Sequence, residues 1–301
     1  MRYRFGRVVN FVIARIAFGP GIFAALQIGG RYRRRGKPAK RLASGGAGRH
    51  DAPPMFDLSN PRLWLVGLGA ALLSGIAKSG VPGLGILAVP LMALVMPAKA
   101  SVGALLPILI AADVNALAYH RRHADWRQIV RLLPWVALGM APAYYALGRL
   151  DEKTVRPLLG ALVLAMMLLE AVRRRLAWDR LPHHPAFGAA IGVAAGFATT
   201  MGNAAGPLMS LYLLARGLTK ERFVGTVAWY FFIVNLSKVP VFAARGMITG
   251  RSLLFDLGVA PAVAVGSWIG FRFVSRVSPG VFLAVVYGLT AVAALWLILP
   301  T

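Results

Sequence analysis

Lys78 and Lys238 are the residues most able to do chemistry, because each stands inside an otherwise apolar run. A lysine held at bilayer depth costs at least about 2.5–3.5 kcal/mol on insertion scales, and an anionic ligand would offset that cost. Lys78 lies in Gly75-Ile76-Ala77-Lys78-Ser79-Gly80-Val81-Pro82-Gly83-Leu84-Gly85, a Gly/Pro-rich, polar interruption between apolar segments. A second interruption, Gly196-Phe197-Ala198-Thr199-Thr200-Met201-Gly202-Asn203-Ala204-Ala205-Gly206-Pro207, recurs later, with Thr199 in the place of Lys78. Backbone that is not helical is tolerated at membrane depth only where protein or a water-filled cavity satisfies it. Two such breaks at corresponding places in two halves point to a substrate site.

The candidate substrate-binding residues are therefore Lys78, Ser79, Gly80, Gly83 and Gly85 in the first break. The second break contributes Thr199, Thr200, Gly202, Asn203 and Gly206. Half-helices starting after Gly83 and after Gly202 would aim unpaired N–H groups at an oxyanion, and glycine lets the ligand come close to the backbone. The competing reading is that these glycines let helices pack closely. Asn235 and Lys238, three residues apart, share one helix face and join the candidate set. Asp113 and Asn115 occupy the matching region of the first half and are candidates for coupling or charge balance. Asp113 either carries a proton or neutralises Lys78 or Lys238 as a structural ion pair.

Other polar residues say less. His120 and His123 sit where a span meets a basic loop, and His183-His184 lacks the further ligands a metal would need. Glu170 pairs with Arg173 and Arg174 on its own helix. With no P-loop, zinc motif or nucleophile elbow, the sequence argues against an enzyme and calls for no cofactor.

The elements that must position these residues are membrane helices. Hydrophobic residues make up 58% of the 301, above the roughly 45–50% of soluble domains. Several apolar runs are long enough to cross a core of about 30 Å, and the alternating strands of a barrel are absent. The net charge of +24 comes from 34 Lys+Arg against 10 Asp+Glu. Most of the basic residues stand in short connections, where the positive-inside bias places them. The partner implied is thus a lipid bilayer and not a nucleic acid, and homo-oligomerisation stays open. Cysteine is absent, so no thiol chemistry arises.

Apolar segments fall at 63–77, 83–96, 102–119, 129–147 and 155–172, then at 186–200, 204–215, 223–244, 253–274 and 281–299. Val102-Gly103 corresponds to Val224-Gly225, which sets Asp113 opposite Asn235, and Leu138-Gly139 corresponds to Val265-Gly266. The expected organisation is an all-α polytopic membrane protein of two homologous halves with broken or re-entrant helices. Residues 55–180 form the first repeat and 181–301 the second. Residues 1–54 read as a basic extension and linker outside the core, because nothing acidic precedes Asp51 and the first internal methionine is Met55. Basic clusters at 31–41, 121–131 and 173–180 are all expected in the cytoplasm. That needs an odd number of crossings over 63–96, about eight crossings in all, and both termini inside a cell (inner) membrane.

At these residues the chain resembles the TauE/SafE sulfite exporter family, also called the 4-toluene-sulfonate uptake permease family, over about residues 63–299. The first break, Pro90, Ala100-Ser101-Val102-Gly103-Ala104 and His123-Ala124-Asp125-Trp126-Arg127 carry the resemblance. Gly202, Gly206-Pro207 and Gly246-Met247-Ile248 repeat the order in the second half. The resemblance implies a secondary carrier of sulfite, sulfonates or related sulfur oxyanions. The alternatives are a carrier of another anion or a metal cation, and a membrane scaffold or accessory subunit that transports nothing.

Overall fold

A computed structural model describes residues 57–79, 84–175, 184–273 and 279–299. The extension expected over 1–54, and Gly80 and Gly83 of the first break, lie outside the described residues. Ten α-helices and two 3-10 turns account for the described elements, and no strand occurs among them. This all-helical outcome follows from the sequence: in an apolar run, only a helix satisfies every backbone polar group within its own segment.

The helices are α1 (Pro61–Lys78), α2 (Ala88–Ala93), α3 (Ala98–His120), α4 (Trp126–Arg149) and α5 (Glu152–Arg175). After them come α6 (Pro185–Gly202), α7 (Gly206–Leu214), α8 (Lys220–Ala244), α9 (Gly250–Phe273) and α10 (Pro279–Ile298). Six of these, α3, α4, α5, α6, α8 and α9, are long and apolar enough to cross a membrane. By contrast α2, with 6 residues, and α7, with 9, are short. At about 1.5 Å per residue, neither reaches halfway across a core of about 30 Å.

The helix ends have local causes. Both α1 and α6 begin on proline, whose missing N–H costs nothing at a first helical position. Asn60 caps α1 by accepting from Arg62 N at 3.0 Å, and His184 Nδ1 accepts from Ala186 N at 3.2 Å. Asp125 caps α4 through Gln128 N at 3.3 Å, so Asp125-Trp126-Arg127 fixes a turn. Exposed Asp151 sits just before α5, where hydrogen bonds from Thr154 hold its carboxyl below the usual carboxylate range.

Glycine seams join helices distant in sequence. A Cβ on Gly75 of α1 would meet the Val263 carbonyl of α9, and one on Gly266 would meet the Leu72 carbonyl of α1. The same arrangement recurs between α6 and α4, where Gly196 lies against the Val136 carbonyl and Gly139 against the Val193 carbonyl. The paired positions are three apart in every case. Small residues at these positions let the helices approach closely.

Contacts also fix the helix directions. Gly67 meets Phe255, and Gly270 meets Ser79, so α1 and α9 run the same way. Asn115 contacts Ser267, and Tyr119 stacks on Phe271, so α3 runs parallel to α9 as well. The chain must therefore return between Lys78 and Ala98. Segment 63–96 is a hairpin that ends where it began, and the expected odd number of crossings there does not hold. The equivalent pair α3 and α8 runs antiparallel: Gly103 packs on Met247, and Gly225 packs on His120 and Ala124.

These directions separate two ends of the bundle. Leu63, Ala98, Leu147, Met247, Phe255 and Leu297 share one core cluster at the first end. The second end gathers Asp125 with Thr226 and Arg222, and Arg121 with Trp229. The outer ends of α1 and α10 thus lie opposite the basic clusters at 121–131 and 173–175.

Candidate functional site

The tips of α1 and α6 lie against the antiparallel pair α3 and α8. Lys78, in the last turn of α1, places Nζ 2.8 Å from Asp113 Oδ1 on α3. Asn235 Nδ2 of α8 donates to the other carboxylate oxygen at 2.6 Å. Asp113 is 0% exposed and Lys78 14%. Lys78 Nζ also stands 3.8 Å from the centroid of the Phe231 ring, a cation–π contact that holds the ammonium against α8. Asp113 thus sits within ion-pair distance of Lys78 while Asn235 holds its other oxygen.

On the other tip, the fully buried Lys238 of α8 is held by α6. Its Nζ donates to Thr199 O at 3.0 Å, Thr199 Oγ1 at 3.2 Å and Asn203 Oδ1 at 2.6 Å. Asn203 ends α6 with φ 51°, and it alone among the described non-glycine residues has positive φ. Asparagine tolerates this left-handed conformation better than most residues. Its amide nitrogen donates to Val102 O of α3 at 3.1 Å. One side chain thus ties the end of α6 to helices on both sides.

Between the tips lies a cavity of about 100 Å³, room for several waters at about 30 Å³ each. Six expected residues line it: Lys78, Gly85, Thr199, Asn203, Gly206 and Asn235. Lys238 and Asp113 stand behind this wall, each bonded to a residue that forms it. Gly206 opens α7 with free space where a Cβ would point. Gly206, at the start of this nine-residue helix, is itself part of the cavity lining. The matching expectation after Gly83 fares differently. Residues 84–87 form a 3-10 turn and α2 is a single short stretch, although Gly85 and Ile86 reach the cavity.

Some expected residues are placed elsewhere. Ser79 is buried and turns its hydroxyl back to Gly75 O at 2.6 Å. Gly202 packs beside Leu159 and Leu162 of α5. Asn115 bonds Ser267 Oγ at 3.3 Å, joining α3 to α9. Thr200 is buried outside the lining, with no hydrogen-bond partner for Oγ1. Sequence reading missed Ser210, Val227 and Phe231, which line the cavity. Ser210 carried a faint signal as a hydroxyl inside the second break's short helix. Val227 and Phe231 carried none, being apolar residues in an apolar run.

Elsewhere, Glu170 is paired as expected, with Arg173 at 2.5 Å and Arg174 at 2.9 Å. Among the described residues no group of three or more His, Cys, Asp or Glu could hold a metal ion.

Comparison with known families matches a model described as sulfite exporter TauE/SafE to residues 63–297. No curated protein and no solved structure matches the chain.

Proposed function

The chain belongs to the sulfite exporter TauE/SafE family, a family of membrane transporters, and we propose that it carries small sulfur oxyanions by alternating access. The observation that carries this reading is Lys78, a partly exposed ammonium on the wall of a cavity between two helix tips. Thr199, Asn203, Asn235 and the start of α7 surround the same space with donors. Sulfite and sulfonates present three oxygens to such donors, and a helix start favours negative charge. A cation would favour a carboxylate in the wall, whereas the charged residue among the described lining residues is a lysine.

We read the core as two repeats of inverted topology, each a broken hairpin followed by three spans. The reciprocal glycine seams and the antiparallel run of α3 against α8 support this. Central sites at the interface of such repeats are a recurring transporter design. The six crossing helices would be α3, α4, α5, α8, α9 and α10, with both hairpins dipping in from their own ends. The positive-inside bias then places the end with the clusters at 121–131 and 173–175 in the cytoplasm, and the outer ends of α1 and α10 outside.

The cavity lining follows α8 from Phe223 to Asn235, on the basic side of the centre. On the far side Asn203 bonds Lys238 and Val102. We read this as a state with the site turned toward the cytoplasm and the opposite path closed by Asn203. The direct test is purified protein in proteoliposomes. Flux of labelled sulfite or a sulfonate is expected, and silence across a broad anion panel would leave a scaffold or accessory subunit as the better reading.

A further inference from the structure

Lys78 was the residue the sequence marked for an anion, yet its charge is already answered by Asp113 at 2.8 Å. Lys238 differs. Its three hydrogen-bond acceptors, Thr199 O, Thr199 Oγ1 and Asn203 Oδ1, are all neutral. Building on the carrier reading above, we propose that the site selects singly charged anions over doubly charged ones, with Lys238 supplying the single uncompensated positive charge.

The charge count is local and short. From α1 the centre receives Lys78, from α3 Asp113, and from α8 Lys238. Among the described lining residues α6 and α7 add only neutral groups, Thr199, Asn203, Gly206 and Ser210. Two ammonium groups and one carboxylate leave one positive charge, with Asp113 and Lys238 themselves fully buried. A bound monoanion brings that sum to zero. A dianion reverses it and leaves a buried negative charge without a partner, which low-dielectric surroundings penalise.

Lys238 does not itself face the cavity. It acts through Thr199, whose hydroxyl oxygen accepts from Nζ while its residue lines the cavity. Accepting from an ammonium leaves the hydroxyl hydrogen to be donated onward, and chains of hydrogen bonds polarise one another. Thr199 therefore offers a ligand a donor strengthened by the charge behind it. Lys78 does the same directly, but Asp113 beside it opposes its field.

Methanesulfonate and sulfate test this, being close in size and differing by one charge. Calorimetry on the purified protein in detergent should give at least tenfold tighter binding of methanesulfonate. Asp113→Asn raises the central charge by one and should move the ratio toward sulfate. Removing the neutral pair together, as Lys78→Met with Asp113→Asn, should restore the monoanion preference and controls for folding. Lys238→Met should weaken both anions, sulfate more than methanesulfonate, and so widen the ratio. Sulfate binding as tightly as methanesulfonate to the unaltered protein, or neither binding, would overturn the proposal. Flux of both anions at equal rates would sink the selectivity and leave the carrier reading standing. A clear binding preference with no flux in proteoliposomes would support the selectivity and sink the carrier reading.

Discussion

Lys78 and Asp113 form an ion pair across 2.8 Å that fastens the tip of α1 to α3. Asn235 on α8 holds the other carboxylate oxygen, so the pair also bridges the two antiparallel helices. Breaking a buried pair by removing one partner leaves an uncompensated charge, typically at a cost of about 3–5 kcal/mol. Lys78 keeps some solvent contact, which puts the present case near the lower end.

Lys78→Met and Asp113→Asn should therefore each lower thermal stability in detergent, by about 3 kcal/mol for Asp113→Asn. The double substitution should recover most of that loss, since it removes both charges together. A double mutant as unstable as the sum of the singles would show that the two residues are not coupled.

Asn203 combines strain with bonding, and two substitutions separate these. Asn203→Ala loses the amide contacts to Lys238 and Val102 and must also hold φ 51° with a Cβ. Asn203→Gly loses the same contacts but adopts that backbone freely. The glycine variant should be more stable by about 1 kcal/mol, with transport reduced in both. Equal melting temperatures would argue that the left-handed conformation is not retained.

Part of this site was legible in the sequence, because glycine, proline and polar residues in an apolar run mark a break whatever the fold. Matching Gly103 to Gly225 aligned Asp113 with Asn235, but the hydrogen bond between them was not legible. The partner of Lys238 was not. Thr199 and Asn203 reach it only because α6 ends beside α8, a relation no local spacing encodes. The return of the chain within 63–96 was not legible either, because it shows only in the contacts that α1 and α3 make with α9.

The glycine seams predict a sharp contrast among glycines. A side chain at Gly75 or Gly196 would run into a neighbouring helix backbone, and backbone cannot step aside as a flexible side chain can. Gly75→Leu and Gly196→Leu should each cost more than the usual 1–3 kcal/mol or so of overpacking and deplete folded protein. Gly206→Ala meets open space and should fold normally while weakening anion binding, because its methyl enters the lining. Gel filtration of detergent extracts, followed by binding measurements on the Gly206 variant, would separate the two classes.

Orientation gives a prediction independent of transport. A reporter that is active only outside the cytoplasm, fused after Leu299, should be active, and the same reporter inserted in the connection around Ala124 should be silent. The reverse pattern would restore the cytoplasmic placement of the helix ends expected from sequence and would turn the cavity outward.

The absence of native cysteine allows the closed path to be probed directly. Val227 lines the cavity on the basic side of the centre, whereas Val102 is fully buried and gives its carbonyl to Asn203. In a membrane holding the state described here, Val227→Cys should react with an impermeant thiol reagent from the cytoplasmic face, and methanesulfonate should slow that reaction. Val102→Cys should resist the reagent from both faces until Asn203→Ala removes the tie, when labelling from the outer face should rise at least tenfold. The tie costs two hydrogen bonds to break, one of them to an ammonium, together worth about 2–4 kcal/mol, so it suffices to keep the outward path closed most of the time. Prompt labelling of Val102→Cys with Asn203 intact would mean that the outward path is already open, and Asn203 would lose its role as the closing residue.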